Sequence, residues 1–279
     1  MPHELLVDFP PAASLPATEV PPSSAPLREE WVAREGLYRL ISGVFIEEPG
    51  PELLAALREP ETLASLAEAG VRFGSDFLDP DPDALAETLA CEYTTMFAAS
   101  GGFPPVESIR LTGRYQQGPH FDVKETYRRA GFAVRKGRFQ VLEDHLGMEL
   151  LFVAELLSRG VAALDRGDRD GHRAIDHDIK RFWSLHLARW VRGYCRLVER
   201  ATEHSLYREM ARFLAGFADE EIRAMGLRVD DLDEGREVVP KSEVPIEFNP
   251  DEPVCNACTG GASRIPADAI PIAFPARPA

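Results

Sequence analysis

Three side chains in the stretch VLEDHLGMELLF, residues 141–152, have the chemistry to move protons or to hold a ligand: Asp144, His145 and Glu149. Apolar periodicity predicts one helix over 140–165, on which His145 and Glu149 share a face. The groups suit an acid/base pair, half of a metal site, or a patch that binds a polar ligand. The alternative is a histidine held by a neighbouring helix. The pattern alone favours that alternative, since zinc sites need three or four ligands and this spacing is not HExxH.

A second candidate for chemistry is the single CxxC motif in VCNACTG, which contains Cys255 and Cys258. A zinc or iron–sulfur site needs two more ligands, which Cys91, Cys195, a histidine or a second subunit would have to supply. Cys91 and Cys195 fall in helical patterns, where cysteine usually behaves as a small buried hydrophobe. The βαβ pattern of a thioredoxin-type site is not predicted around the motif. A metal or redox role and a flexible segment without either role both remain open.

A third candidate lies in the connection at 98–120, which breaks the apolar periods on both sides. Here Pro104 and Pro105 precede Glu107 and Ser108, so a rigid turn could present a carboxylate and a hydroxyl. An ordinary turn is the alternative, although long loops in compact domains are more often functional than idle. The phosphate-binding patterns GxxxxGK[ST] and GxGxxG and the nucleophile pattern GxSxG are missing. Catalysis therefore gains little support, and we expect a protein that is not an enzyme.

Composition limits the partners. The chain has 279 residues, of which 44% are hydrophobic, and a formal net charge of −15. A sizeable core is expected, while nonspecific binding to nucleic acid or to an anionic membrane surface is disfavoured. No apolar run reaches the roughly 18 residues that suggest a membrane span. The first residues do not resemble a secretory signal, so we predict a cytoplasmic location without stable membrane insertion.

The elements that must position these residues are helical. Apolar residues recur every three or four positions, and no alternating strand pattern precedes residue 220. The predicted helices cover 26–45, 51–69 with an interruption at Pro60, 82–97, about 121–130, 140–165, 172–200 and 203–218. We therefore predict a single all-α bundle over 26–219, between a flexible arm at 1–25 and an acidic, Pro-rich tail at 220–279 that carries the CxxC motif.

Several of these motifs, taken in order, resemble the TorD/DmsD family of redox-enzyme maturation chaperones. The similar segments are EYTTMFAASGGFPPVESIRLTG at 92–113, Tyr127 with Gly131 and Phe132, EDHLGMELLFVAELL at 143–157, and the helical stretch at 182–217. The resemblance covers about residues 30 to 218. The chain departs from the family in having Glu143 where a proline commonly precedes the Asp-His pair, and in its long tail.

The resemblance implies an all-helical chaperone for a molybdenum-cofactor oxidoreductase. Such a protein binds the catalytic subunit or its twin-arginine signal peptide and delays export until the cofactor is inserted. The family residues that flank the proposed leader-binding groove match Glu107, Ser108, Asp144, His145, Leu146 and Glu149. A twin-arginine leader would need carboxylates for its guanidinium groups beside an apolar floor, and the acidic surplus should speed its encounter.

Two hypotheses follow. The first is a chaperone without a cofactor of its own, monomeric or homodimeric. The second is a metal-binding or thiol-redox protein in which Cys255 and Cys258 hold zinc or an iron–sulfur cluster and the bundle is a scaffold. The first predicts that VLEDHLGMELLF belongs to a recognition site and not to a catalytic centre.

Overall fold

The computed structural model describes residues 25–98, 101–134 and 141–238. The helices in these ranges are α1 (Ala25–Phe45), α2 (Pro51–Arg58), α3 (Pro60–Glu68), α4 (Ser75–Leu78), α5 (Pro82–Tyr93), α6 (Glu107–Thr112), α7 (Gly118–Arg129), α8 (Leu146–Asp165), α9 (Arg169–Leu185), α10 (Val191–Ala201) and α11 (Ser205–Ala224). A π-helix at Thr94–Ala98 extends α5. These ranges hold no β-strand, so the predicted all-α fold is confirmed.

Helix α8 lies at the centre of the bundle, packed against α1 and α9, while α10 and α11 pack together. Its apolar residues Leu150, Val153 and Leu157 are completely buried. They follow each other at three- and four-residue spacing, so they form one continuous stripe. Burial of that stripe accounts for the strong helical period of this part of the sequence.

The helix predicted over 172–200 is interrupted in the structure. Helix α9 ends at Leu185, a short 3-10 helix spans Leu187–Arg189, and α10 follows. Trp183 and Trp190, on either side of the interruption, are both fully buried. The apolar period therefore continues across the break because the flanking helices face the same core.

The prediction that Asp144 and His145 lie on the central helix is wrong, because α8 begins at Leu146. His145 has an extended backbone and is the N-cap of α8, where its Nδ1 accepts a hydrogen bond from the Gly147 N–H at 3.1 Å. The same extended residue forms an antiparallel bridge with Val106. Pairing with the neighbouring loop thus competes with helix formation at these positions and prevails.

Helix α11 continues to Ala224, five residues beyond the predicted boundary of the bundle at 219. After it, residues 227–238, which we call the strap, lie across α10. The Leu232 N–H donates to the Arg189 carbonyl at 2.6 Å, and the Gly193 N–H donates to Asp231 Oδ2 at 2.8 Å. A Cβ atom on Gly193 would lie 2.5 Å from the Asp233 carbonyl carbon, so the strap can approach α10 only because this residue is glycine. The predicted arm, apart from Ala25, and the CxxC motif lie outside the described residues.

Candidate functional site

The structure brings together all the residues predicted to contact a client, and it buries them. The side chains of Glu107, Ser108, Asp144, Leu146 and Glu149 are inaccessible, and His145 is 8% exposed. Charged residues are seldom fully buried unless they are paired. The question for this site is therefore which partners these groups have.

Hydrogen bonds of Asp144 connect the start of α6 to the start of α8. Its Oδ2 accepts the Ser108 N–H at 2.9 Å, and its Oδ1 lies 2.9 Å from His120 Nδ1. Its main-chain carbonyl accepts the Glu107 N–H at 2.9 Å, and the Leu146 N–H donates to the Pro105 carbonyl at 2.8 Å. These bonds fix the spacing between the two segments that carry the family motifs.

Glu107 and Glu149 form a buried carboxyl pair behind this junction. Glu107 Oε2 lies 3.0 Å from His186 Nδ1, and the Trp190 indole N–H points to Glu149 Oε2 at 3.4 Å. Burial, and then the charges of Glu107 and Asp144, raise the pKa of Glu149 well above its ordinary 4.5. A protonated Glu149 can donate to Glu107, so the pair is stable in the core when it holds a proton.

The variant Glu149→Gln tests whether the pair of Glu107 and Glu149 holds a proton in the folded protein. The pKa of Glu149 is raised on folding. When the pH rises above about 4.5, Glu149 therefore loses its proton in the unfolded chain before it does so in the folded protein. The free energy of unfolding then falls with pH, by up to about 1.4 kcal/mol per pH unit for one group. We expect Glu149→Gln to remove this loss in urea titrations between about pH 5 and pH 8. The exposed Glu87→Gln is the control, and equal pH dependence in wild type and Glu149→Gln would contradict the protonated pair.

A cavity of about 390 Å³ opens beside this network. The motif at 92–113 contributes Tyr93, Phe97, Pro104, Pro105 and Val106 to its lining, and the motif at 143–157 contributes His145. Further lining residues are Ile46 directly after α1, and Val141 and Leu142 directly before the second motif. Most of the lining is apolar, so the cavity suits a hydrophobic side chain.

His145 is the predicted site residue that lines the cavity. Burial lowers the pKa of its imidazole to about 4, against the influence of Asp144, so the ring is neutral near pH 7. Since Nδ1 accepts the Gly147 N–H, the ring proton is on Nε2. The histidine therefore offers one hydrogen-bond donor at the cavity wall and no charge.

Several cavity residues were not predicted from the sequence. Glu47 and Glu48, which lie between α1 and α2, line the cavity, and so does Tyr115, which is 55% exposed. The segment EEPG, which contains both glutamates, lies just after the helix predicted over 26–45, and no binding role was predicted for it. In the structure, the π-helix at Thr94–Ala98 contributes to the lining, and π-helical turns are frequent at functional sites.

The metal hypothesis finds no ligand cluster in the part of the chain that the structure describes. No group of three or more His, Cys, Asp or Glu suited to a metal ion occurs there. Cys195 is buried as expected, but Cys91 is exposed and does not behave as a core residue. Cys255 and Cys258 lie outside the described residues, so their role stays a prediction.

None of the described helices is long and apolar enough to cross a membrane.

Comparison with known proteins gives one family. The model of the nitrate reductase delta subunit family matches residues 52–196, just over half of the chain. Comparison with curated proteins gives no significant match. Among solved structures, a proposed redox enzyme maturation protein from Archaeoglobus fulgidus is 20% identical and has a TM-score of 0.39, over 67% of this chain and 93% of that one. A TM-score this low carries no functional comparison. On the family match and its ordered motifs, the chain belongs to the nitrate reductase delta subunit family, the TorD/DmsD group of redox-enzyme maturation chaperones.

Proposed function

We propose that this protein is a non-catalytic cytoplasmic chaperone that binds the twin-arginine signal peptide of a molybdenum-cofactor oxidoreductase. It keeps the catalytic subunit from export until the cofactor is inserted. The observation that carries the proposal is the cavity, because both family motifs contribute walls to it. An apolar cavity with acidic residues at its edge fits a leader that combines arginines with an apolar stretch.

The predicted site residues then have two different tasks. His145 lines the cavity and contacts the leader directly. Glu107, Ser108, Asp144, Leu146 and Glu149 are buried and hold the cavity walls in place. Under this proposal, substitutions of the buried residues act on stability and on the shape of the cavity together. Substitutions at the cavity edge act on binding alone.

The experiment that tests the proposal is co-purification from the protein's own host. The tagged chain is recovered from the cytoplasm, and mass spectrometry identifies what comes with it. The expected result is a large oxidoreductase subunit that retains its signal peptide. Recovery of no such subunit, together with zinc or iron on the isolated protein, would contradict the proposal and favour a role for Cys255 and Cys258.

A further inference from the structure

Two carboxylates at the edge of the cavity have no counter-ion among the described residues. Glu47 is half-buried and Glu48 is exposed, and both line the cavity. Neither forms an ion pair within the described ranges, where many other acidic residues are paired on the surface, such as Glu125 with Arg128 and Arg129. The two glutamates are therefore available for a cation from outside.

The backbone that carries these glutamates is held in place. The Tyr93 hydroxyl donates to the Phe45 carbonyl at 3.2 Å, directly before them. Ile46 lies against Gly147, where an added Cβ would be 2.5 Å from the Ile46 Cβ. A binding group on a fixed backbone loses less conformational entropy when a ligand binds. The position of the acidic pair is thus set before any ligand arrives.

The remaining surface of the cavity defines what must lie next to the cation. No lysine or arginine lines the cavity among the described residues, and the nearest wall is formed by Ile46, Tyr93 and Phe97. A ligand with a positive charge beside a hydrophobic side chain satisfies both features. A purely apolar ligand would leave the carboxylates unpaired, and a purely basic one would leave the apolar wall uncovered.

His145 is a second and independent indication of a ligand. Its side chain is more than nine-tenths buried, it lines the cavity, and its Nδ1 is occupied by the Gly147 N–H. The Nε2–H donor has no acceptor within the part of the chain that the structure describes. This nitrogen is accessible, and the carbonyl group of a bound peptide can accept its proton.

We propose that Glu47 and Glu48 are the specificity-determining residues of this cavity for an extended peptide in which arginine adjoins apolar residues. The carboxylates bind the guanidinium group, the apolar wall receives the neighbouring side chain, and the His145 Nε2–H donates to a peptide carbonyl. The inference rests on the proposed function, because it assigns the part of the site that recognises the arginines of the leader.

The test measures binding of the full chain to a fluorescein-labelled synthetic peptide in which two arginines precede a run of leucine and alanine. We expect the double variant Glu47→Gln/Glu48→Gln to raise the Kd at least about 10-fold. Glu52→Gln/Glu59→Gln is the matched control. It removes the same charge from exposed residues of the adjacent segment that do not line the cavity, so it should raise the Kd by less than about 3-fold.

A charge exchange makes the test specific. The variant Glu47→Arg/Glu48→Arg should prefer a peptide whose arginines are replaced by glutamates, which wild type should reject. Equal affinities of the Gln double variant and its control would overturn the assignment, as would failure of wild type to bind the arginine peptide. If the peptide results hold and no oxidoreductase co-purifies, the recognition chemistry stands and the proposed function fails. If the Gln double variant recovers an oxidoreductase as well as wild type does, the function stands and the assignment fails.

Discussion

Replacement of Asp233 by alanine is expected to lower the free energy of unfolding by about 3–5 kcal/mol. Asp233 Oδ2 accepts Arg110 Nε at 3.0 Å, and Oδ1 accepts Arg110 Nη2 at 2.9 Å. Asp233 is 0% exposed and Arg110 is 3% exposed. The variant therefore leaves a guanidinium group buried without its counter-ion, although Arg110 keeps its hydrogen bonds to the Arg236 and Glu237 carbonyls of the strap. Urea unfolding at neutral pH measures the change.

The strap provides its own control. Asp230, three residues earlier, is exposed, and Asp230→Ala should change stability by less than about 0.5 kcal/mol. The double variant Arg110→Ala/Asp233→Ala should be less destabilised than the sum of the two single variants, since it leaves no charge unpaired. A loss below about 1 kcal/mol for Asp233→Ala would show that the pair behaves as a surface ion pair.

The second large effect is expected for Asp144→Ala. This change removes the acceptors of the Ser108 N–H and of His120 Nδ1. A buried donor without a partner costs about 1–3 kcal/mol, so the loss should be roughly 2–6 kcal/mol. Because the bond from the Ser108 N–H to Asp144 helps to hold the segment after Val106 against the start of α8, affinity for the arginine peptide should fall as well. Urea unfolding and peptide titration are measured on the same preparations.

Asp122→Ala is the control for this change, because Asp122 is exposed on α7 beside the network. It should leave both stability and peptide affinity unchanged. If Asp144→Ala were as stable as wild type and lost only peptide affinity, Asp144 would have to contact the ligand directly. That outcome would contradict a role in holding the cavity wall.

Part of the fold could be predicted because the long helices bury one face. Leu150, Val153 and Leu157 gave α8 a clear period, and the same pattern predicted α1 and most of α11. Helix α6 could not be found in this way, since it has six residues. The backbone of its first residue, Glu107, bonds to Asp144, 37 residues later in the sequence. Short elements that depend on such distant contacts carry little local signal.

The site, like the fold, could be predicted only in part from the sequence. Motif order indicated that Glu107 and Ser108 belong with Asp144 and His145, and the structure brings these segments together. Their burial could not be expected from residue type, since carboxylates are usually exposed. A single sequence does not show that His120 lies opposite Asp144 or His186 opposite Glu107.

If the cavity holds the signal peptide of an oxidoreductase, site-directed photo-crosslinking in the native host will capture that peptide. A photoreactive amino acid replaces Tyr115, which lines the cavity and is 55% exposed. The control position is Leu185, which is 44% exposed and is not part of the cavity lining. We expect mass spectrometry of the product from position 115 to find the arginine-containing leader of a molybdenum oxidoreductase, with little product from position 185. Crosslinks to the mature body of that enzyme alone, or equal yields from the two positions, would contradict it.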